Sequence, residues 1–199
     1  CDFDGTLVDS VPIKRRAFAS CFAEHSAQLP RILAYCHGNN HTPRVEKFRY
    51  VYQRILREPL TPEREAALHR RFEAETTRQI GRAPETPGAS AFLQAARERH
   101  VTALLSSTPH GILLDILRTR GWLAWWHTVQ GAPVNKAWWL ETFRRARRWN
   151  AQDVIFFGDT PEDAEAARQA GCVFVAVRDM SVASAPGHAL PDFTAEGLP

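Results

Sequence analysis

The stretch Cys1-Asp2-Phe3-Asp4-Gly5-Thr6-Leu7-Val8-Asp9-Ser10 decides how the rest of this 199-residue chain is read. Two acids two positions apart, followed by Gly-Thr, first suggest a calcium loop. An EF-hand loop needs Gly at its sixth position and Glu at its twelfth. Counted from Asp2, those positions hold Leu7 and Ile13, which excludes it. The other reading is a strand whose carboxyl end presents Asp2, with Asp4 on the departing turn and Gly5 easing that turn. In open α/β sheets, ligands bind in the crevice at the carboxyl ends of the strands. Only Cys1 precedes Asp2. This reading therefore expects the upstream part of a central strand to be missing and its neighbours to lose a ladder partner.

Downstream, Val101–Leu105, Val154–Phe157 and Cys172–Val177 are near-continuously apolar, the pattern of parallel strands buried on both faces. Thr128-Val129 reads as a weaker strand of the same sheet. Amphipathic stretches separate them: Ala89, Phe92, Leu93 and Ala96; then Ile112, Ile116 and Leu117; then Trp139, Phe143 and Ala146. Pro161 and Gly171 bracket a further helix. This alternation predicts an open α/β sheet. Residues 11–86 show helical stripes only: Ile13, Ala17, Cys21 and Phe22; Val45, Phe48, Tyr52, Ile55 and Leu56; Leu68, Phe72 and Thr76, entered by Thr61-Pro62. Pro12 stands at one end, and Pro84, Pro87 and Gly88 at the other. The expected organisation is an α/β core of residues 1–10 and 87–199 carrying an all-helical insertion of residues 11–86.

Composition excludes several classes. With 44% hydrophobic residues and 25 Lys+Arg against 22 Asp+Glu, a net charge of +3, the chain is an ordinary globular one and not disordered. No run approaches the ~20 apolar residues of a membrane helix. Cys1, Cys21, Cys36 and Cys172 are scattered, which argues against a disulfide framework or zinc site and for a reducing cytosol. The run Arg144-Arg145-Ala146-Arg147-Arg148-Trp149 invites a nucleic-acid partner. The apolar stripe on that stretch places the arginines on a wet helix face instead. Monomer and homodimer both stay open.

Further polar residues fall at the same edge of the expected sheet. Ser106, Ser107 and Thr108 end one strand; Gly158-Asp159-Thr160-Pro161-Glu162-Asp163 ends another. Lys136 lies in the first turn of a helix entered by Asn135. Each has a plainer reading: Asp159 as a helix N-cap, Ser106 satisfying its own turn, and Lys136 as an exposed first-turn residue at odds with the helix dipole.

Taken in order, Asp2-Phe3-Asp4-Gly5-Thr6, Ser106, Lys136 and Gly158-Asp159-Thr160-x-x-Asp163 resemble the four motifs of the haloacid-dehalogenase superfamily. The helical stretch between the first two resembles the helical-cap branch that includes phosphoglycolate phosphatase and β-phosphoglucomutase. The resemblance implies a Rossmann-like core and an Mg²⁺-dependent phosphatase acting on a small phosphorylated metabolite through an aspartyl-phosphate. It makes Asp2 the nucleophile and Asp4 the general acid and base. Mg²⁺ would be held by Asp2, the backbone carbonyl of Asp4, and Asp159, with Asp163 orienting a metal-bound water. Ser106 and Lys136 would contact the phosphoryl group, and the N–H groups of Gly5 and Ser107 would add donors. Arg44 matches a position where caps place a substrate-contacting arginine. His41 and Lys47 stand beside it, with a solvated helix entrance as the plainer reading. Asp4 separates this pattern from dehalogenases, which lack the second acid because a halide leaves without a proton. A sugar-phosphate mutase shares the same motifs, and a non-catalytic relative is the alternative from another class.

Overall fold

Apolar stripes at helical spacing become four helices in residues 11–80 of a computed structural model, which describes residues 1–39, 42–182 and 189–194. These are α1 (Val11–Cys21), α2 (Leu29–Gly38), α3 (Arg44–Tyr50) and α4 (Pro62–Ile80), with α3 running directly into a π-helical turn, Val51–Leu56. Thr61 caps α4, accepting from the Arg64 N–H at 3.3 Å. The buried faces meet in an aromatic core. Phe18 of α1 lies edge-on to Phe48 of α3 and Phe72 of α4, with ring centroids 6.0 and 4.9 Å away. Such pairs contribute ~0.5–1.5 kcal/mol beyond area burial. The stripes quoted above do not include α2. Its buried contribution is Ile32 and Cys36, one turn apart, with Pro30 in the first turn. Asn40 and His41 lie outside the described residues.

This helical unit is Ser10–Ile80; Cys1–Asp9 and Gly81–Pro199 form a second compact unit. Residues 81–86, expected in the insertion because Pro84, Pro87 and Gly88 punctuate that end, are grouped by their contacts with the α/β unit. Backbone pairing is the reason. The Thr86 N–H donates to the Leu7 carbonyl at 2.9 Å, and the Asp9 N–H to that of Pro84 at 2.9 Å. The Thr86 hydroxyl donates to the Thr6 carbonyl at 2.7 Å.

In the α/β unit, α5 (Ala89–Arg99) leads into β1 (Ala103–Pro109), α6 (His110–Arg120), β2 (Thr128–Ala132), α7 (Lys136–Ala146), β3 (Ile155–Gly158), α8 (Pro161–Ala170), β4 (Val173–Val177) and β5 (Ala189–Leu190). All strand pairings are parallel: β1 with β2, β3 with β4, β4 with β5. Cys1 and Asp2 lie between the two groups. The Cys1 nitrogen donates to the Ala103 carbonyl at 2.8 Å and the Leu105 N–H to the Cys1 carbonyl at 2.9 Å. On the other side, the Asp2 N–H donates to the Phe157 carbonyl at 2.8 Å. Asp2 is therefore held between β1 and β3. Leu105, Leu140, Phe156, Ala167, Phe174 and Ala176 pack the core of this unit. Small residues on the α8 face (Ala166, Ala167, Ala170) let that helix approach β3 and β4 closely. The four cysteines form no disulfide, and no described helix is long and apolar enough to cross a membrane.

Arg145 pairs with Glu141 at 2.6 Å, Arg147 stacks over Phe143 at 3.8 Å, and Arg144 donates to the Trp149 carbonyl. Lys47 overturns its reading as a solvated residue: it is 4% exposed, its Nζ donating to the Cys36 carbonyl at 3.0 Å and sitting 5.1 Å from the Phe18 ring centroid. Burial, with the Lys14 charge adding to it, lowers its pKa from 10.5 to about 8, against the opposing influence of Cys36. Below pH 8 the folded chain carries a buried cation at full cost. Between pH 8 and 10.5 the unfolded chain binds more protons, so stability from this group rises with pH. Lys47→Met is expected to stabilise the protein by about 1–2 kcal/mol at pH 7, less than the full shift implies because the Cys36 carbonyl loses its donor. Urea unfolding should show that advantage shrinking between pH 8 and 9.5.

Candidate active site

Three segments bring charged side chains to one place in the α/β unit: Asp2 and Asp4, Lys136, and Asp159 with Asp163. Asp2 comes from between β1 and β3 and is 5% exposed. Lys136 is the first residue of α7, positioned by Asn135, whose side chain accepts from the Trp138 N–H at 2.9 Å. Its Nζ lies 2.7 Å from Asp2 Oδ1 and 2.6 Å from Asp163 Oδ1. Burial alone would lower its pKa; the two carboxylates outweigh burial and raise it, so the lysine stays charged. The reading as an exposed first-turn residue therefore fails.

Asp159 follows β3. It does not cap α8, because Thr160 takes that position and accepts from the Asp163 N–H at 3.2 Å. The Thr6 hydroxyl donates to Asp159 Oδ1 at 3.0 Å. Burial raises the pKa of both Asp2 and Asp159, and each is pushed further by neighbouring carboxylates. Asp163 is fully buried, with Oδ1 on Lys136 and Oδ2 accepting from the Thr160 hydroxyl at 2.7 Å. Carboxylate oxygens of Asp2, Asp159 and Asp163 come within 4.8 Å of one another. Three carboxylates facing one lysine form a hard, all-oxygen donor set with excess negative charge, which suits a divalent cation. The cluster could hold a metal.

Asp4 is bound from β1. The Thr108 hydroxyl donates to Asp4 Oδ2 at 2.7 Å, and Ser106 Oγ stands 3.5 Å from the same oxygen. Ser106 also accepts from the Thr108 N–H at 3.1 Å, so it serves both its own turn and the acid.

A family profile for haloacid dehalogenase-like hydrolases matches residues 1–171. The chain belongs to this family. Phosphoglycolate phosphatase of Synechococcus elongatus is 28% identical over 186 residues, covering 88% of this chain and 81% of the relative. Among solved structures, CbbY from Rhodobacter sphaeroides in complex with xylulose-(1,5)bisphosphate superposes with a TM-score of 0.76 at 17% identity, over 98% of this chain and 94% of the other. HAD-hydrolase YfnB from Bacillus subtilis bound to magnesium gives 0.71 at 14% identity, over 96% and 92%. These two show a shared fold.

In this hydrolase, the motif residues Asp2, Asp4, Ser106, Lys136, Asp159 and Asp163 thus stand in one connected set. Ser107 lies between Ser106 and Thr108 with its side chain exposed. Arg44 is in the helical unit, where Glu73 at 2.9 Å and the Phe72 ring at 4.8 Å occupy its guanidinium. The Gly5 N–H, expected to face an anion, donates instead to the Val8 carbonyl at 2.9 Å. Gly5 matters for another reason: its φ is +92°, and a Cβ there would overlap the Asp159 carboxylate. Thr6, Thr108 and Thr160, whose hydroxyls donate to Asp159, Asp4 and Asp163, are the residues whose part in the site sequence reasoning missed. Gly5→Ala is expected to cost about 1–3 kcal/mol through backbone strain and displacement of Asp159, read as a lowered urea midpoint.

Proposed function

We propose that this hydrolase cleaves a small phosphomonoester in two steps through an aspartyl-phosphate on Asp2. The observation that carries the reading is the pairing of two acids of different surroundings on one turn. Asp2 is buried against a charged lysine, and two residues on, Asp4 accepts from the Thr108 hydroxyl at 2.7 Å with Ser106 Oγ at 3.5 Å.

In the first step an Asp2 carboxylate oxygen bonds to phosphorus as the ester P–O bond breaks. The leaving alkoxide takes the proton carried by Asp4. In the second step water attacks phosphorus, gives its proton to Asp4, and the P–O bond to Asp2 breaks. Asp2 is restored and inorganic phosphate leaves. Lys136 orients Asp2 and balances charge on the phosphoryl oxygens; Ser106 and the Ser107 N–H donate to them. Asp2, Asp159 and the Asp4 backbone carbonyl would hold Mg²⁺. When bound, it would neutralise the repulsion between carboxylates and a phosphate dianion. Asp163 has both oxygens engaged by Lys136 and Thr160, which suits a positioning role beside the ion. Magnesium in the YfnB structure and the phosphatase activity named for the Synechococcus relative support the same reading.

Substrate selection is proposed for the helical unit, which follows the first motif in the chain, and 2-phosphoglycolate is the first substrate to test. Four cysteines without a disulfide suit a cytosolic enzyme. With Mg²⁺ the protein is expected to release phosphate from 4-nitrophenyl phosphate and from 2-phosphoglycolate. EDTA should abolish turnover, and Asp2→Asn should lower kcat by at least about a thousandfold, the loss of the nucleophile. Turnover that survives both changes would refute the mechanism.

A further inference from the structure

Thr108 lies outside the motif positions, yet its hydroxyl stands closer to Asp4 than that of Ser106, 2.7 Å against 3.5 Å. We propose that Thr108 is a positioning residue that fixes the carboxyl group of Asp4 for proton transfer to the leaving oxygen. The inference rests on the phosphatase reading above and adds to it the group that aims the acid.

Three observations on β1 carry it. First, the register with β2 breaks between Leu105 and Pro109, so Ser106 and Thr108 leave the regular ladder. Both side chains, two apart, turn to the same buried side, while Ser107 between them is exposed. Second, the segment has little room to shift. A Cβ at Gly131 of β2 would stand 2.6 Å from the Thr108 carbonyl oxygen and 2.6 Å from His110 Cα, and the Gly131 N–H donates to His110 Nδ1 at 3.2 Å. Third, Thr108 is 8% exposed, and its N–H is anchored on Ser106 Oγ. A β-branched side chain on a fixed, buried backbone has few χ1 options, so the hydroxyl is set by the strand and not by Asp4.

The chemistry needs such a group. Asp4 has to present its carboxyl to one oxygen while protonated and to a water oxygen afterwards while ionised. The Thr108 hydroxyl can donate to Asp4 Oδ2 both while the acidic proton sits on the other carboxyl oxygen and after it has left, so Thr108 holds Asp4 in both forms without changing its own charge. An ammonium group in its place would add a charge that favours the ionised form of the acid. Ser106, expected to spend its proton on the phosphoryl group, leaves that task to Thr108.

The test exploits leaving-group chemistry. 4-Nitrophenolate departs without a proton, whereas the alkoxide of 2-phosphoglycolate or glycerol 2-phosphate requires one. The intact Mg²⁺-loaded protein is assayed with both ester types as wild type, Thr108→Val, Thr108→Ala, Thr108→Ser, Asp4→Asn and Asp4→Asn/Thr108→Val, with urea midpoints recorded for each. Thr108→Val is expected to lower the alkyl-to-aryl ratio of kcat at least tenfold, with KM little changed. Thr108→Ser should restore the ratio, and Thr108→Val should add no further loss on the Asp4→Asn background. Thr108→Ala gives the same readout should the valine variant fold poorly. Equal losses on both esters, or a full additional loss in the double variant, would overturn the inference while the phosphatase reading stands. Wild-type protein that hydrolyses neither ester overturns both.

Discussion

A single buried cation makes the arrangement of acids possible. Lys136 reaches Asp2 at 2.7 Å and Asp163 at 2.6 Å from a site only 14% exposed. Three carboxylates brought within 4.8 Å of one another would otherwise repel at full strength in a poorly solvated pocket. The lysine also stands where a helix least favours it, at the first position of α7, beside the positive end of the dipole. The two carboxylates outweigh that cost and the cost of burial. Removing one partner of such a group leaves an uncompensated buried charge, a loss on the order of 3–5 kcal/mol. Charge placement thus ties α7 and α8 to the segment between β1 and β3.

Backbone proximity is the second requirement, and two glycines meet it. At Gly5, which follows Asp4, a side chain would occupy the space taken by the Asp159 carboxylate. At Gly158, which ends β3, a Cβ would stand 2.5 Å from that of Asp163. Neither position leaves room for alanine without moving an acid. The glycines of the first and fourth motifs therefore act through the volume they leave empty. Gly5 was read as an easing of the turn and as a donor to an anion. The turn reading agrees with its positive φ, while its N–H is consumed by Val8.

Much of the fold was legible because burial leaves a periodic trace. Near-continuous apolar runs mark β3, β4 and the first residues of β1, and Pro161 and Gly171 bracket α8 at the residues where the helix starts and stops. What escaped notice had too few buried residues to form a pattern. The helix α2 shows two, and β5 is two residues long. The limit of the insertion was misplaced because proline punctuates a chain without saying which side it belongs to. Hydrogen bonds from residues 84–86 to residues 6–9 settle that, and such long-range pairings have no local signature.

The charged residues of the site were legible for a different reason: acids and a lysine at strand ends are uncommon enough to attract attention. Their supports were not. Thr6, Thr108 and Thr160 each donate a hydroxyl hydrogen to one acid, Asp159, Asp4 and Asp163 respectively. A threonine after a strand has an ordinary explanation in turn chemistry, so nothing in its position singles it out. The hydroxyls nonetheless do what a second lysine could not. Each orients a carboxylate without cancelling its charge, and the negative charge needed to attract a divalent cation is preserved. Asp2, the acid assigned to attack phosphorus, is the one that receives the ammonium group without any such hydroxyl among the described contacts. Lys136 thus compensates the charge of Asp2 and Asp163, while threonine hydroxyls orient Asp4, Asp159 and Asp163.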